Sequence, residues 1–282
     1  MTTFRTGLSR RPVRSLVREI SKEFDWLSQE SRAAKILFDH LPRCGGTTLK
    51  AYLASHYPRR KTYNLSGADP GSSVRIFTSF SEAQQRGYHL IMGHLANELE
   101  PLVDPVCIHC TLLRNPVDRF ASFYYYVRQM PHHYLYGALM REQMTLDDFA
   151  RSELGEEVRN WLTIHFSGMT RLQAERRPQE AIARALDTCK QIDLVGFVEQ
   201  YPHFVNRLRT MANLRHEFRP EKLNAVANRT PLSDIPRMTR EHIAEVNFLD
   251  IDFYDRAYDL FFSEQNDQGV KGNEDRSFSF GK

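Results

Sequence analysis

The sequence predicts an α/β fold: a single domain with a central parallel sheet flanked by helices and a P-loop-like anion-binding loop. Three observations predict it. Short apolar runs alternate with helical patterns through most of the 282 residues. One run, Ile36-Leu37-Phe38, passes into a glycine-bearing loop that heads a helix. A second, ending at Leu113, passes into Arg114-Asn115-Pro116 and another helix.

The elements follow in order. Residues 1–11 are basic and polar, and Val13, Leu16, Val17, Ile20, Phe24 and Leu27 recur at helical spacing, so 12–29 reads as an amphipathic helix that covers the fold's own core, with a membrane surface or a partner as the other reading. Strands are expected at 35–41, 74–79, 88–93, 106–113 and 192–198. Helices are expected at 47–56, 117–129, 144–152, 155–166, 178–189, 200–212 and 239–262. Glu264 to Lys282 is rich in Gly, Asn, Asp and Ser and reads as a disordered tail. The organisation is therefore a basic N-terminal segment (1–33), one domain (34–263) and a tail (264–282). No internal repeat is present.

The loop His40-Leu41-Pro42-Arg43-Cys44-Gly45-Gly46-Thr47-Thr48 has what an anion needs. Glycines let the backbone approach, consecutive N–H groups point inward, and a helix start adds partial positive charge. It is not a Walker A loop, because Thr47 stands where Lys would follow the second glycine. The second segment, Arg114-Asn115-Pro116-Val117-Asp118-Arg119-Phe120-Ala121-Ser122, places a guanidinium at a strand's carboxyl end and a hydroxyl two helical turns on. That pair suits a phosphate monoester.

Together the two segments resemble the sulfotransferases that use 3′-phosphoadenylyl sulfate (PAPS), in particular the carbohydrate branch with the heparan sulfate and uronyl 2-O-sulfotransferases and bacterial relatives. The family's loop reads His-x-Pro-Lys-x-Gly-Gly-Thr-Thr, and its later segment Arg-x-Pro-x-x-Arg-x-x-Ser. The resemblance spans about residues 34–262 and departs at Arg43, where the family usually has Lys. It implies that Arg43, Cys44, Gly45, Gly46, Thr47 and Thr48 hold the 5′-phosphosulfate, and that Arg114 and Ser122 hold the 3′-phosphate. Arg229 and Thr230 match a closing loop weakly and are aimed at the same phosphate, a polar surface loop being the alternative. The activity implied is transfer of the sulfuryl group to a hydroxyl, most often of a saccharide, leaving PAP and needing no metal.

Neither phosphate motif supplies a base. A histidine of near-neutral pKa is the natural group to take the acceptor's proton. Tyr88-His89-Leu90-Ile91-Met92-Gly93-His94 reads as a strand ending in Gly-His, which puts His94 where parallel sheets place their ligands. It also resembles the family's His-Gly-His segment, with Met92 in place of the first His. Arg43 would then meet charge on the leaving phosphate, while His40 reads as a structural pin for the loop. Arg128, His132, His133, Arg171, Arg176 and Arg177 are candidates to border an anionic acceptor, with ordinary solvated charge as the other reading.

Composition fits an enzyme of this kind. Lys+Arg 38 against Asp+Glu 35 is only mildly basic, which argues against general nucleic-acid binding. No apolar run reaches the ~18 residues of a membrane span, and no secretory leader is evident, which favours a cytoplasmic bacterial enzyme over an anchored Golgi one. Cys107 and Cys110 form a C-x-x-C inside an apolar strand, read as small buried residues rather than a metal or redox site. Two rival functions are a P-loop kinase of a nucleotide or small molecule and a non-catalytic nucleotide- or carbohydrate-binding protein.

Overall fold

The computed structural model describes residues 33–218 and 231–274, with side chains through Phe262. The amphipathic segment expected at 12–29, and Arg229 and Thr230, lie outside the described residues.

Five parallel strands form one sheet in the spatial order β2-β3-β1-β4-β5. They are β1 (Ile36–Asp39), β2 (Thr62–Asn64), β3 (Leu90–Gly93), β4 (Ile108–Leu113) and β5 (Leu194–Phe197). β1 is central, with Asp39 level with Gly93 on one side and Thr111 on the other. All four of its residues are buried, as a strand covered on both faces requires. The chain order reverses beside β1, and an open parallel sheet forms its ligand crevice at the carboxyl ends there.

The helices in chain order are α1 (Gly46–Ala54), α2 (Pro70–Thr78), α3 (Glu82–Arg86), α4 (Pro116–Gln129), α5 (Tyr136–Arg141) and α6 (Leu146–Arg151). Then follow α7 (Trp161–Ser167), α8 (Arg171–Arg176), α9 (Pro178–Cys189), α10 (Tyr201–Met211), α11 (Arg237–Val246) and α12 (Phe248–Glu274). Among the described residues no helix is long and apolar enough to cross a membrane.

Three expectations are corrected. Residues 74–79 are not a strand: α2 covers them to Thr78, started by Pro70 and capped by Asp69, which accepts from the Ser72 N–H at 2.9 Å. Ser73 and Phe77, four residues apart, are buried there while Arg75 and Ile76 face solvent, a helical face rather than a strand's alternation. The fifth strand is instead β2, whose three residues are too few to show a period.

The helix expected at 155–166 starts only at Trp161, and the one at 239–262 breaks at Asn247. One reciprocal clamp causes both. The Asn160 N–H donates to Asn247 Oδ1 at 3.1 Å, and Asn160 Oδ1 accepts from the Leu249 N–H at 3.0 Å, one of the unpaired donors at the start of α12. Beyond the break, α12 runs on through Glu274. Elongating a helix already anchored by packing is far easier than nucleating one.

Cys107 and Cys110, three residues apart along one strand direction, sit on opposite faces of the sheet. Cys110 belongs to the main core, and Cys107 packs against the cluster around Leu37 and Phe77. Both are free thiols.

Candidate active site

The site grows from the end of β1. After Asp39 the chain is tied to β3 by the His40 N–H, which donates to the Gly93 carbonyl at 3.0 Å. The loop then turns, with the Cys44 N–H donating to the Leu41 carbonyl at 3.2 Å. Gly45 adopts φ 71° and opens α1 with no side-chain cap. The first N–H groups of α1 thus have no capping side chain from Gly45, and the helix dipole adds positive potential there. Thr47 and Thr48 occupy the first turn, with Thr47 exposed.

Two glycines are required by contact. A Cβ on Gly46 would lie 1.9 Å from His40 Cδ2, so the imidazole packs where a side chain would be. A Cβ on Gly93, at φ 144°, would lie 2.7 Å from Leu65 Cβ. His40 is therefore wedged between the loop and its neighbours, stacked on Phe38 at 5.7 Å and on His94 at 4.6 Å. Burial, followed by the charges of His94, Lys50 and Arg43, pushes its pKa down to about 3.

Arg43 is the convergence point of the two motifs. It holds φ 65°, a left-handed conformation that costs a non-glycine residue energy and that surrounding contacts must hold. Its carbonyl accepts from Arg114 Nη1 at 2.8 Å, and the preceding Pro42 carbonyl accepts from Arg119 Nε at 3.3 Å. Its guanidinium donates from Nε and Nη2 to Ser122 Oγ, both at 3.2 Å, and lies 4.5 Å over the Tyr126 ring. Burial and the Arg114 charge push Arg43 down to about 10, so it stays cationic at neutral pH. Arg114 also pairs with Asp118 at 2.5 Å. The structure thus brings Arg114 and Ser122 onto Arg43, one on its carbonyl and one on its guanidinium.

Cys44 is fully buried, and burial pushes its thiol up to about 11, so it is neither a nucleophile nor a charge here. Arg119, buried to 2 % exposure, holds the loop from beneath: besides Pro42 it donates to the Val158 carbonyl at 3.2 Å and lies 5.0 Å over Trp161.

His94 follows β3 and faces the loop. Its Nδ1 meets the His40 carbonyl, which can only accept, so Nδ1 carries the hydrogen and Nε2 the lone pair. Burial is the largest cause holding its pKa below the ordinary 6.5, and nearby Lys50 adds to it. A neutral imidazole with a free Nε2 is the form a general base needs.

Three groups that sequence reasoning passed over border this site. Lys50 lies on α1, and helical side chains lean back toward the helix start, which brings its charge to bear on His40 and His94. Asp39 ends β1 fully buried, and His165 on α7 reaches it, Nε2 to Oδ2 at 3.2 Å. Only Lys50 had a local signal, its place four residues after Gly46; Asp39 and His165 are 126 positions apart. Of the acceptor candidates, Arg171 donates to the carbonyls of Glu156 and Arg159, Arg177 pairs with Glu180 at 3.2 Å, and Arg128 donates to the Tyr124 hydroxyl at 3.0 Å. Those three are engaged within the fold.

No cluster of three or more metal-ligating side chains occurs among the described residues. No curated protein matches the chain. The Sulfotransferase family matches residues 30–261, which is most of the chain and contains every part of the loop, the Arg114 segment and the Gly-His strand end. The chain belongs to the sulfotransferase family.

Proposed function

We propose that this protein transfers the sulfuryl group of PAPS to a hydroxyl of a saccharide, with His94 as the general base. The observation that carries this reading is the state of His94. Its Nδ1–H is fixed on the His40 carbonyl, its pKa lies below 6.5, and it stands beside the loop that heads α1.

The acceptor O–H bond breaks and its proton passes to His94 Nε2. The oxygen forms the new bond to sulfur while the bond from sulfur to the 5′-phosphate oxygen breaks, and PAP leaves with that electron pair. Charge grows on the leaving phosphate, where Arg43 and the N–H groups at the start of α1 are already oriented, so little reorganisation is needed. Ser122 and the Tyr126 ring hold the Arg43 guanidinium in a fixed attitude. In this reading Cys44, Gly45, Gly46, Thr47 and Thr48 cradle the 5′-phosphosulfate. Arg114 and Ser122 serve the 3′-phosphate while also steadying Arg43, and Arg229 and Thr230 are assigned to the same phosphate.

The test is transfer of label from PAPS to a panel of acceptors, from uronic-acid polysaccharides to small phenols, in EDTA. Labelled product with PAPS in EDTA is the expected result. Phosphoryl transfer from magnesium-ATP would instead support a kinase, and PAP binding without transfer to any acceptor would support a binding protein.

A further inference from the structure

The end of β1 anchors two imidazoles from different parts of the chain. The His40 carbonyl receives His94, and one residue earlier the Asp39 carboxylate receives His165 at 3.2 Å. Asp39 is fully buried in the central strand; its own carbonyl accepts from Thr111 Oγ1 at 2.9 Å, and its second carboxylate oxygen, Oδ1, has no hydrogen-bond partner among the described residues. His165 is held firmly. Its ring lies flat on Trp161, centroids 4.7 Å apart and planes 10° apart. The start of α7 is fixed by buried Asp250, which accepts from the N–H groups of Leu162 at 3.1 Å and Thr163 at 2.8 Å.

A buried carboxylate with an unpaired oxygen is costly, and an apolar residue would link α7 to β1 at less cost. Its placement beside a base gives that arrangement a use. We propose that Asp39, oriented by His165, stabilises the positive charge that His94 gains when it takes the acceptor's proton. This rests on the reading of His94 as the base. Both are positioning residues acting through His94.

The charge balance singles out Asp39. His94 is neutral before the step and an imidazolium after it, and it later gives the proton to water. Asp39 stands level with Gly93, the residue before His94, the His40 ring stacks on His94 at 4.6 Å, and the charges acting on it are those of Lys50 from α1, Asp39 from β1 and His165 from α7. Lys50 and His165 oppose the new charge, and of these four groups only Asp39 is a carboxylate that favours it. The arrangement shares its logic with a serine hydrolase triad, in which a buried carboxylate favours the imidazolium, but here it acts across a strand end rather than through a direct bond.

Histidine side-chain NMR on the full chain reads this without turnover. The midpoint of His94 is followed with pH in wild type, Asp39→Asn and His165→Phe, with His133 as an internal reference. Asp39→Asn should lower the His94 midpoint by about half a unit or more, since a favourable charge is lost. His165→Phe keeps a ring on Trp161 and leaves the Asp39 charge in place while removing its partner, so it should move the midpoint less than Asp39→Asn does. Where transfer is measurable, the acid limb of the single-turnover rate should move in the same direction as each midpoint. Simple loosening would expose His94 and raise its midpoint in both variants, so a rise or no change in Asp39→Asn overturns the proposal. If Asp39→Asn does not fold, Asp39→Ser decides, since it also removes the charge: a lowered midpoint supports the proposal, and a rise or no change overturns it. Failure of the base reading is separate, and would show as a full transfer rate in His94→Ala.

Discussion

Arg43 and His94 divide the work of the proposed reaction, and their substitutions should separate binding from chemistry. His94→Ala removes the proton acceptor and should slow single-turnover transfer by ~10²–10⁴-fold. PAP affinity, measured by titration calorimetry, should stay within about twofold, because His94 faces the loop without belonging to the phosphate cradle. Arg43→Ala should damage both, since its guanidinium would meet the phosphosulfate in the ground state and more strongly as charge develops. The rate should also have its acid limb below pH 6.5, because His94 must be neutral and burial lowers its pKa. A limb above 6.5 in the pH–rate profile would point to another base. The motif residues themselves were legible because the sequence places them in contiguous runs. Their mutual contacts were not: Ser122 and Arg114 both read as phosphate ligands, and only the folded loop shows that each also grips Arg43, 79 and 71 positions away.

At the scale of elements, the strands that carry the site were readable because each is an apolar run feeding directly into its functional loop. β2 escaped for lack of length, and residues 74–79 misled because an apolar cluster of that size fits a helix face as well as a strand. The Asn160–Asn247 clamp was invisible for another reason, since it depends on two chain segments meeting 87 positions apart. It sets where α7 begins and thereby where Trp161 and His165 stand. Asn247→Ala leaves the buried Asn160 N–H without its acceptor, and should cost about 1–3 kcal/mol in denaturant unfolding. Gly46→Ala acts on the other side of the site. Its Cβ would overlap the His40 ring at 1.9 Å, and that ring is closed in by Phe38 and His94. The variant should show a lowered melting temperature and weakened PAP binding together, whereas Gly67→Ala, with nothing within 4 Å, should show neither.

The whole molecule inherits a pH dependence from the same packing. His40 titrates near 6.5 when unfolded and at about 3 when folded, so between those values the unfolded chain binds the extra proton. Stability should therefore fall as pH drops from 6.5 toward 3, and His40→Asn should flatten that part of the curve in urea unfolding at several pH values. A flat wild-type curve would mean the ring is not buried as described. The family is shown by its match over residues 30–261, and the donor is the claim on which the mechanism stands. Calorimetric titration of the wild-type protein with PAP in EDTA, alongside ADP and magnesium-ATP, tests it most directly. PAP should bind without metal and more tightly than either competitor, because it alone carries both the 5′- and the 3′-phosphate. No binding of PAP, or tighter binding of magnesium-ATP, would contradict the account.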